Sequence, residues 1–163
     1  MKTRTKSEGF ALIEVLLAIV ILAIGLLAGS RMQILGLGFT QGATTRSYAT
    51  MAANDILDRM RLNPEGLASY HGFSTAGNIP ADQGCNFTTP CDATQRANQD
   101  LRDWASYFRK ANGQGTHTQL PPGATGAIAL DSGGAMTIVT VTWKDLINGS
   151  ESDTQQVSVG IVL

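Results

Sequence analysis

The first part of the chain carries one long apolar run. From Phe10 to Ser30, Glu14 is the only charged residue, and the other positions before the terminal serine are nonpolar. A helix needs about 20 such residues to span a bilayer. Three basic residues precede the run, whereas only Arg31 follows it closely. By the positive-inside rule, we predict a transmembrane helix over 10–30, with the N-terminus in the cytoplasm and the rest of the chain across the membrane.

The helical pattern continues beyond the apolar run. No proline occurs before Pro64, and Asn63-Pro64 is a typical helix stop. Apolar residues recur at three- and four-residue steps before this stop, which is typical of one buried helix face. They are Ala49, Ala52, Ile56 and Met60. We therefore predict one long helix whose membrane-spanning half, 10–30, continues into a periplasmic half, 31–63.

The remaining residues, 64–163, are predicted to form a globular head. Glycines and prolines over 64–91 indicate loops. Asp92 followed by Gln95 resembles a capping box and predicts the start of a second, amphipathic helix. Gly113 is a plausible stop for that helix. Its apolar positions at helical steps are Ala97, Leu101, Trp104, Phe108 and Ala111.

The last third of the chain changes to a period of two, which is typical of strands. The three stretches are GAIALDS, AMTIVTVTW and QQVSVGIVL, and Ser132-Gly133-Gly134 and Asn148-Gly149 separate them as turn signals. We predict a three-stranded antiparallel sheet covered by the second half of the long helix. The fold class is therefore α+β.

Composition and charge exclude several functions. The formal net charge is −1 without a basic block, so the chain has no electrostatic footprint for nucleic acid. No catalytic, phosphate-binding or zinc pattern is present, and we predict no enzyme activity, no cofactor and no metal site. His71 and His117 stand alone and are interpreted as surface loop residues. Asp100 and Asp103 share a helix with several arginines, which is typical of a solvated face.

The two cysteines are Cys85 and Cys91. If the head lies outside the cytoplasm, an oxidising compartment favours a disulfide between them. Two separate free thiols are the alternative.

The N-terminal layout resembles the prepilin signal of type IV pilins and type II secretion pseudopilins. The matching residues are Gly9, Phe10 and Glu14, within GFALIEVLLAIVILAIGLLA. The resemblance implies that prepilin peptidase removes a leader of residues 1–9 by cutting between Gly9 and Phe10, and that Phe10 becomes N-methylated. A plain single-pass anchor with a stray acid is the alternative, but a carboxylate within the bilayer is costly.

The resemblance also suggests a role for the acid. In a bundle of helices, Glu14 pairs with the new amine of Phe10 on a neighbouring subunit, because a charge in an apolar bundle is tolerated when it is paired. Gly25 and Gly29 allow close helix packing or a flexible stretch. Alternatively, these glycines reflect only the abundance of small residues in membrane helices.

Motifs in the head resemble the PilV-type minor pilins, also called pilus modification proteins. They are NDILDRMRLNP, DLRDWASYF preceded by a cysteine, LPPGATGAI and TVTWKD. This implies a minor pilin of the bacterial inner membrane, with its head in the periplasm until it enters a cell-surface pilus. The implied partners are other minor pilins, the major pilin, prepilin peptidase and the inner-membrane assembly machinery. A type II secretion pseudopilin carries the same signal, and a bitopic periplasmic binding or adhesion protein is a further alternative.

Overall fold

The computed structural model describes residues 8–108, 120–131, 136–147 and 150–162. The chain divides into two compact units between Gln41 and Gly42. The first helix, α1, covers Glu8–Leu62 and contributes to both units. It ends directly before Asn63-Pro64, as the sequence predicts.

The N-terminal unit contains the first part of α1. By length and composition, this helix is long and apolar enough to cross a membrane. The apolar residues of this run occupy every side of the helix, because consecutive residues point in different directions. They therefore do not separate a buried face from an exposed one.

The second unit contains the last part of α1 together with the head, in which helices pack on one sheet. After α1, a 3₁₀ turn at Pro64–Gly66 leads into the short helix α2, Leu67–Tyr70. Helix α3 covers Ala93–Ala105. The strands are β1, Thr125–Leu130; β2, Thr137–Ile147; and β3, Ser150–Ile161.

The sheet is antiparallel with the order β1-β2-β3, which confirms the predicted α+β head. Its inner face alternates along β2, where Val139, Val141 and Trp143 are buried. The core also contains Ala49, Ala52, Ala53, Ile56, Leu57 and Met60 of α1. The second half of α1 therefore contributes to the core that covers the sheet, as predicted from the spacing of its apolar residues.

Helix α3 begins as the sequence predicts but ends earlier. Asp92 and Gln95 form the reciprocal hydrogen bonds of a capping box. The predicted extension of α3 beyond Ala105 is wrong for Ser106, Tyr107 and Phe108. The backbone N–H groups of these three residues form turns by donating to carbonyls three residues earlier. Ala111 and the proposed stop at Gly113 lie outside the described residues.

Aromatic packing joins the end of α3 to the sheet. Trp104 and Phe108 meet edge to face with their ring centroids 5.0 Å apart. Both rings lie over Gly126 of β1, where a Cβ atom would stand 2.5 Å from Trp104 and 2.7 Å from Phe108. The Trp104 indole N–H also donates to the carbonyl of Ala52 over 2.8 Å. Glycine at position 126 thus lets the two rings contact the sheet directly.

Two other predictions differ in extent. The region 64–91 is not loop throughout, because it contains the 3₁₀ turn and α2. Strands β2 and β3 are longer than their apolar patterns predict, since their paired ends continue through polar residues. The predicted turns at 132–134 and 148–149 lie outside the described residues.

Candidate processing and assembly sites

The predicted processing residues lie at the start of α1. Gly9 and Phe10 belong to the first turns of the helix, and Glu14 follows Phe10 by four residues. Residues four apart lie on the same face of a helix, one turn from each other. The Glu14 side chain is exposed within this chain. Positions 10 and 14 therefore share one face of α1.

Apolar side chains surround Glu14 on all sides of the helix. The large hydrophobic residues between Leu12 and Leu27 are each more than half exposed in the isolated chain. Exposed apolar surface costs about 25 cal/mol per Å² in water. A helix that is hydrophobic all round is covered by lipid or by other helices. This segment therefore requires an apolar environment from outside the chain.

Gly25 and Gly29 lie one turn apart on this apolar helix. A Cβ atom added at either position would meet nothing within 4 Å. Packing among the described residues therefore does not require these glycines. The small-xxx-small spacing leaves a shallow notch of the kind that lets helix backbones approach closely.

In the head, a polar cluster joins the end of α1 to α2 and α3. Arg59 binds Asp55 on its own helix at 3.0 Å and Asp100 of α3 at 3.2 Å. The hydroxyl of Tyr70 donates to the other oxygen of Asp100 over 2.6 Å. Asn63 donates to the Tyr70 hydroxyl at 3.2 Å and to the carbonyl of Ala93 at 2.8 Å. The cluster thus joins the end of α1 to α2 and α3.

Burial and charge shift the pKa values within this cluster. Burial of the phenol, together with its hydrogen bond to Asp100, raises the pKa of Tyr70 above its ordinary value. Burial lowers the pKa of Arg59, but the charges and hydrogen bonds of Asp55 and Asp100 outweigh this and leave it raised. The phenol is therefore neutral and the guanidinium charged at neutral pH, the states that make the hydrogen bonds and ion pairs of this helix junction.

The head also presents a disulfide-closed loop. Cys85 and Cys91 are bonded, with their Cα atoms 5.4 Å apart, which confirms the predicted disulfide. Inside the loop, the Asn86 side-chain oxygen accepts from the backbone N–H groups of Thr88 and Thr89 at 2.9 and 2.8 Å. Phe87 is fully exposed at this turn. A single exposed aromatic does not by itself define a site.

Other candidate residues have structural explanations. His71 lies in a turn and is half-buried, and its Nε2 lies 3.1 Å from the hydroxyl of Thr137. His117 lies outside the described residues. Trp104, one of the predicted apolar positions of α3, is buried in the core, and so is Trp143 of β2. Among the described residues, no group of three or more His, Cys, Asp or Glu side chains could hold a metal ion.

Sequence reasoning missed the role of Asp100. The charge pattern predicts a solvated face for Asp100, whereas its side chain is mostly buried and binds Arg59 and Tyr70. Its position beside the apolar stripe at Ala97, Leu101 and Trp104 was the available signal, because a residue flanking such a stripe lies at the rim of the interface.

The apolar N-terminal helix fits membrane anchoring by its length and composition, and comparison with known families adds to this observation. Residues 4–30 match the prokaryotic N-terminal methylation motif. Residues 31–102 match the Tt1218-like family, described as type IV pilin Tt1218. No curated protein and no solved structure matches the chain.

The two matched regions follow each other directly and together support a type IV pilin with a prepilin-type N-terminus. Type IV pilins are structural subunits of a fibre rather than enzymes. The methylation motif implies processing by prepilin peptidase and assembly with other pilins. The motif and the apolar helix also fit membrane anchoring before assembly.

Proposed function

We propose that this chain is a minor pilin of the PilV type, which helps to start or modify type IV pilus assembly. The observation that carries the proposal is the continuity of a methylation motif over 4–30 with a pilin region over 31–102. The head motifs ending in TVTWKD support the PilV type by resemblance. The proposed partners are other minor pilins, the major pilin and the inner-membrane assembly machinery.

The domain organisation follows from this function. Residues 1–9 form a leader that prepilin peptidase removes between Gly9 and Phe10, after which Phe10 is N-methylated. Residues 10–30 anchor the subunit in the inner membrane before assembly and lie in the fibre core afterwards. Residues 31–63 and the head, 64–163, occupy the periplasm until the subunit enters the fibre. The disulfide between Cys85 and Cys91 supports this placement, because disulfides persist in oxidising compartments.

The proposed assembly contact uses Glu14 as a registration charge. An acid among exposed apolar side chains is tolerated in a bundle only when a cation pairs with it. The amine created at Phe10 of a neighbouring subunit is such a cation. A subunit stacked at the wrong height leaves both charges unpaired in apolar surroundings, so the pair penalises wrong registers more than it stabilises the correct one.

The notch at Gly25 and Gly29 fits the same contact. Neighbouring helices that approach closely gain packing contacts that lipid tails do not provide. In the described part of the chain, a Cβ atom at either position would meet no neighbouring atom within 4 Å, which supports a role between subunits.

Deletion of the coding sequence tests the proposal. We expect a clear loss of surface pili by electron microscopy and normal amounts of secreted exoproteins in the medium. The wild-type chain supplied in trans should restore the pili, whereas a Glu14→Ala chain should not. Normal pili with reduced exoprotein secretion would contradict the pilus assignment and support a secretion pseudopilin instead.

A further inference from the structure

The disulfide loop contains a sequence motif that the processing and assembly sites do not use. Between Cys85 and Cys91 the chain reads Asn86-Phe87-Thr88. Asn-x-Ser/Thr, with any residue except proline in the middle, is the acceptor pattern of N-linked glycosylation and is typical of surface loops in exported proteins. The loop therefore contains a candidate modification site, whose reactivity depends on the accessibility and the hydrogen bonds of the asparagine.

The motif is accessible in the folded head. Residues 86, 87 and 88 are all exposed. The segment that leads into the loop is held on α3, where the backbone N–H of Gln83 donates to the side-chain oxygen of Gln99 over 2.9 Å. The side chain of Arg102 donates to the carbonyl of Pro80 over 3.2 Å. These bonds and the disulfide fix the base of the loop, so an enzyme can reach Asn86 without unfolding the head.

The side-chain oxygen of Asn86 accepts three hydrogen bonds. Thr88 donates two of them, from its backbone N–H over 2.9 Å and from its hydroxyl over 2.6 Å. The backbone N–H of Thr89 donates the third over 2.8 Å. The Nδ2 atom of Asn86 donates to the carbonyl of Gly84 over 3.1 Å. The hydrogen-bond partners therefore distinguish the oxygen of this amide from its nitrogen and hold the group in one orientation.

This arrangement activates the amide nitrogen. An amide nitrogen is a weak nucleophile because its electron pair is delocalised onto the oxygen, and it becomes a stronger one when it loses a proton. Loss of the proton places negative charge on the oxygen, and hydrogen bonds to a charged group stabilise it. The three donors around the side-chain oxygen of Asn86 therefore favour loss of a proton from Nδ2, as in other activated nucleophiles.

The hydroxyl bond distinguishes this loop from an ordinary turn. Asparagine side chains often close a turn by accepting from backbone N–H groups, and such a turn does not depend on the side chain at position 88. The hydroxyl of Thr88 adds a donor that belongs to the side chain. The residue type that the acceptor pattern requires at its third position is therefore the one that polarises the amide further.

We propose that Asn86 is an N-glycosylation site and that its donor is a sugar joined through a diphosphate to a membrane polyprenol. Nδ2 of Asn86 loses one proton to a base of the transferase and attacks C1 of the sugar. The bond between Nδ2 and C1 forms while the bond between C1 and the diphosphate oxygen breaks, and the polyprenyl diphosphate leaves with that electron pair. The proposal rests on the proposed function, because the anchor and the periplasmic head bring the loop to a donor held in the membrane.

Peptide mass spectrometry of the full-length chain from the native strain tests the proposal. The peptide that contains Asn86 should carry one added glycan, and fragmentation should locate it on that side chain. An unmodified Asn86, or a sugar on Thr88 or Thr89 instead, would overturn the proposal. The same sample reports the N-terminus, so a failure of the pilin function is read separately, from a retained leader.

Threonine variants provide a matched comparison. Thr88→Val keeps the branched shape and the backbone N–H but removes the hydroxyl, so the glycosylated fraction should fall about tenfold or more, because the developing charge loses one hydrogen bond. Thr88→Ser should retain the glycan. Thr89→Val keeps the backbone N–H that binds Asn86 and should behave as wild type. Equal glycosylation of Thr88→Val and Thr89→Val would contradict the proposal, and peptide mapping without reductant checks that the disulfide is intact in each variant.

Transfer to the purified chain identifies the donor. Full-length chain from a strain without N-glycosylation is incubated in detergent with solubilised membranes of the native strain and their extracted lipids. Asn86 should gain the same glycan as in cells, and Asn86→Gln should stay unmodified. Cytosol of the native strain supplied with nucleotide-linked sugars should not modify the chain. Modification by the cytosol but not by the membranes would overturn the assignment of a polyprenol-linked donor.

Discussion

The hydroxyl of Tyr70 donates a hydrogen bond to the carboxylate of Asp100 over 2.6 Å, although the two residues lie 30 positions apart. The same carboxylate binds Arg59 at 3.2 Å. Because Arg59 belongs to α1, Tyr70 to α2 and Asp100 to α3, one carboxylate connects three helices of the head. This junction lies at the end of the helix whose first part carries the proposed assembly site.

Removing the phenol hydroxyl should weaken the head without changing its fold. A hydrogen bond to a charged group contributes about 1.5–3 kcal/mol, so Tyr70→Phe should lower the free energy of unfolding by about that amount. Denaturant titration of the full-length chain in detergent measures the change. Tryptophan fluorescence reports on the head alone, because both tryptophans lie there and are buried. Tyr107→Phe, at a partly exposed position, is the matched control, and equal stability of the two variants would contradict the role of the Tyr70 bond.

The raised pKa of Tyr70 predicts a stability that falls at alkaline pH. An unfolded tyrosine loses its proton near its ordinary pKa of about 10. The folded chain holds the proton to higher pH, because burial and the Asp100 hydrogen bond raise the pKa of Tyr70. Its contribution is therefore fully present below about pH 10 and decreases above it, by at most about 1.4 kcal/mol per pH unit. The difference in stability between wild type and Tyr70→Phe should shrink between pH 10 and 11, and a constant difference would contradict the assigned pKa shift.

The disulfide loop should contribute modestly to stability. For so short a loop, the chain-entropy model gives about 2 kcal/mol. Reduction of the wild-type head should lower its free energy of unfolding by that amount, as should the double substitution Cys85→Ser and Cys91→Ser. The reductant should have no further effect on the double variant. Peptide mapping without reductant provides the direct check, and two freely alkylated thiols in protein from the periplasmic side would refute the bond.

Much of the head could be predicted from local sequence signals. The end of α1 at Leu62 follows from Asn63-Pro64, and the start of α3 follows from the reciprocal bonds of Asp92 and Gln95. These signals act between residues that are close in sequence, so they do not depend on the rest of the fold. The alternation of apolar residues that predicts the three strands is likewise a signal within each segment.

The remaining features depend on contacts between distant residues. Helix α3 ends at Ala105, and the rings of Trp104 and Phe108 near this end pack over Gly126 of β1, far along the chain. Asp100 is buried because Arg59, 41 residues earlier, binds it. The outer edge of β1 is paired by Gly72–Thr75, a segment without a strand pattern of its own. Periodicity within one segment contains none of this information.

Substitution of Glu14 should separate membrane insertion from assembly. Glu14→Ala makes the helix more apolar, so insertion and cleavage should persist. Fibre incorporation should fall by more than about 100-fold, since breaking one side of a buried charge pair costs about 3–5 kcal/mol. Glu14→Gln should be partly defective, because its amide oxygen still accepts a hydrogen bond but carries no charge.

The measurement compares membrane level, processed fraction and the amount in sheared fibres. Glu65→Ala removes an exposed acid of the head and should behave as wild type. If Glu14→Ala reaches the fibres at wild-type abundance, Glu14 is not a registration charge.

The central claim is that this chain is processed and assembled as a pilin, and the mass of its mature N-terminus tests it most directly. Intact-mass and N-terminal peptide analysis of the membrane-extracted protein should find Phe10 as the first residue, carrying one added methyl group. A strain without prepilin peptidase should retain the leader, which shows that the cut depends on that enzyme. Retention of residues 1–9 in the wild-type strain, or cleavage at any other bond, would contradict the account.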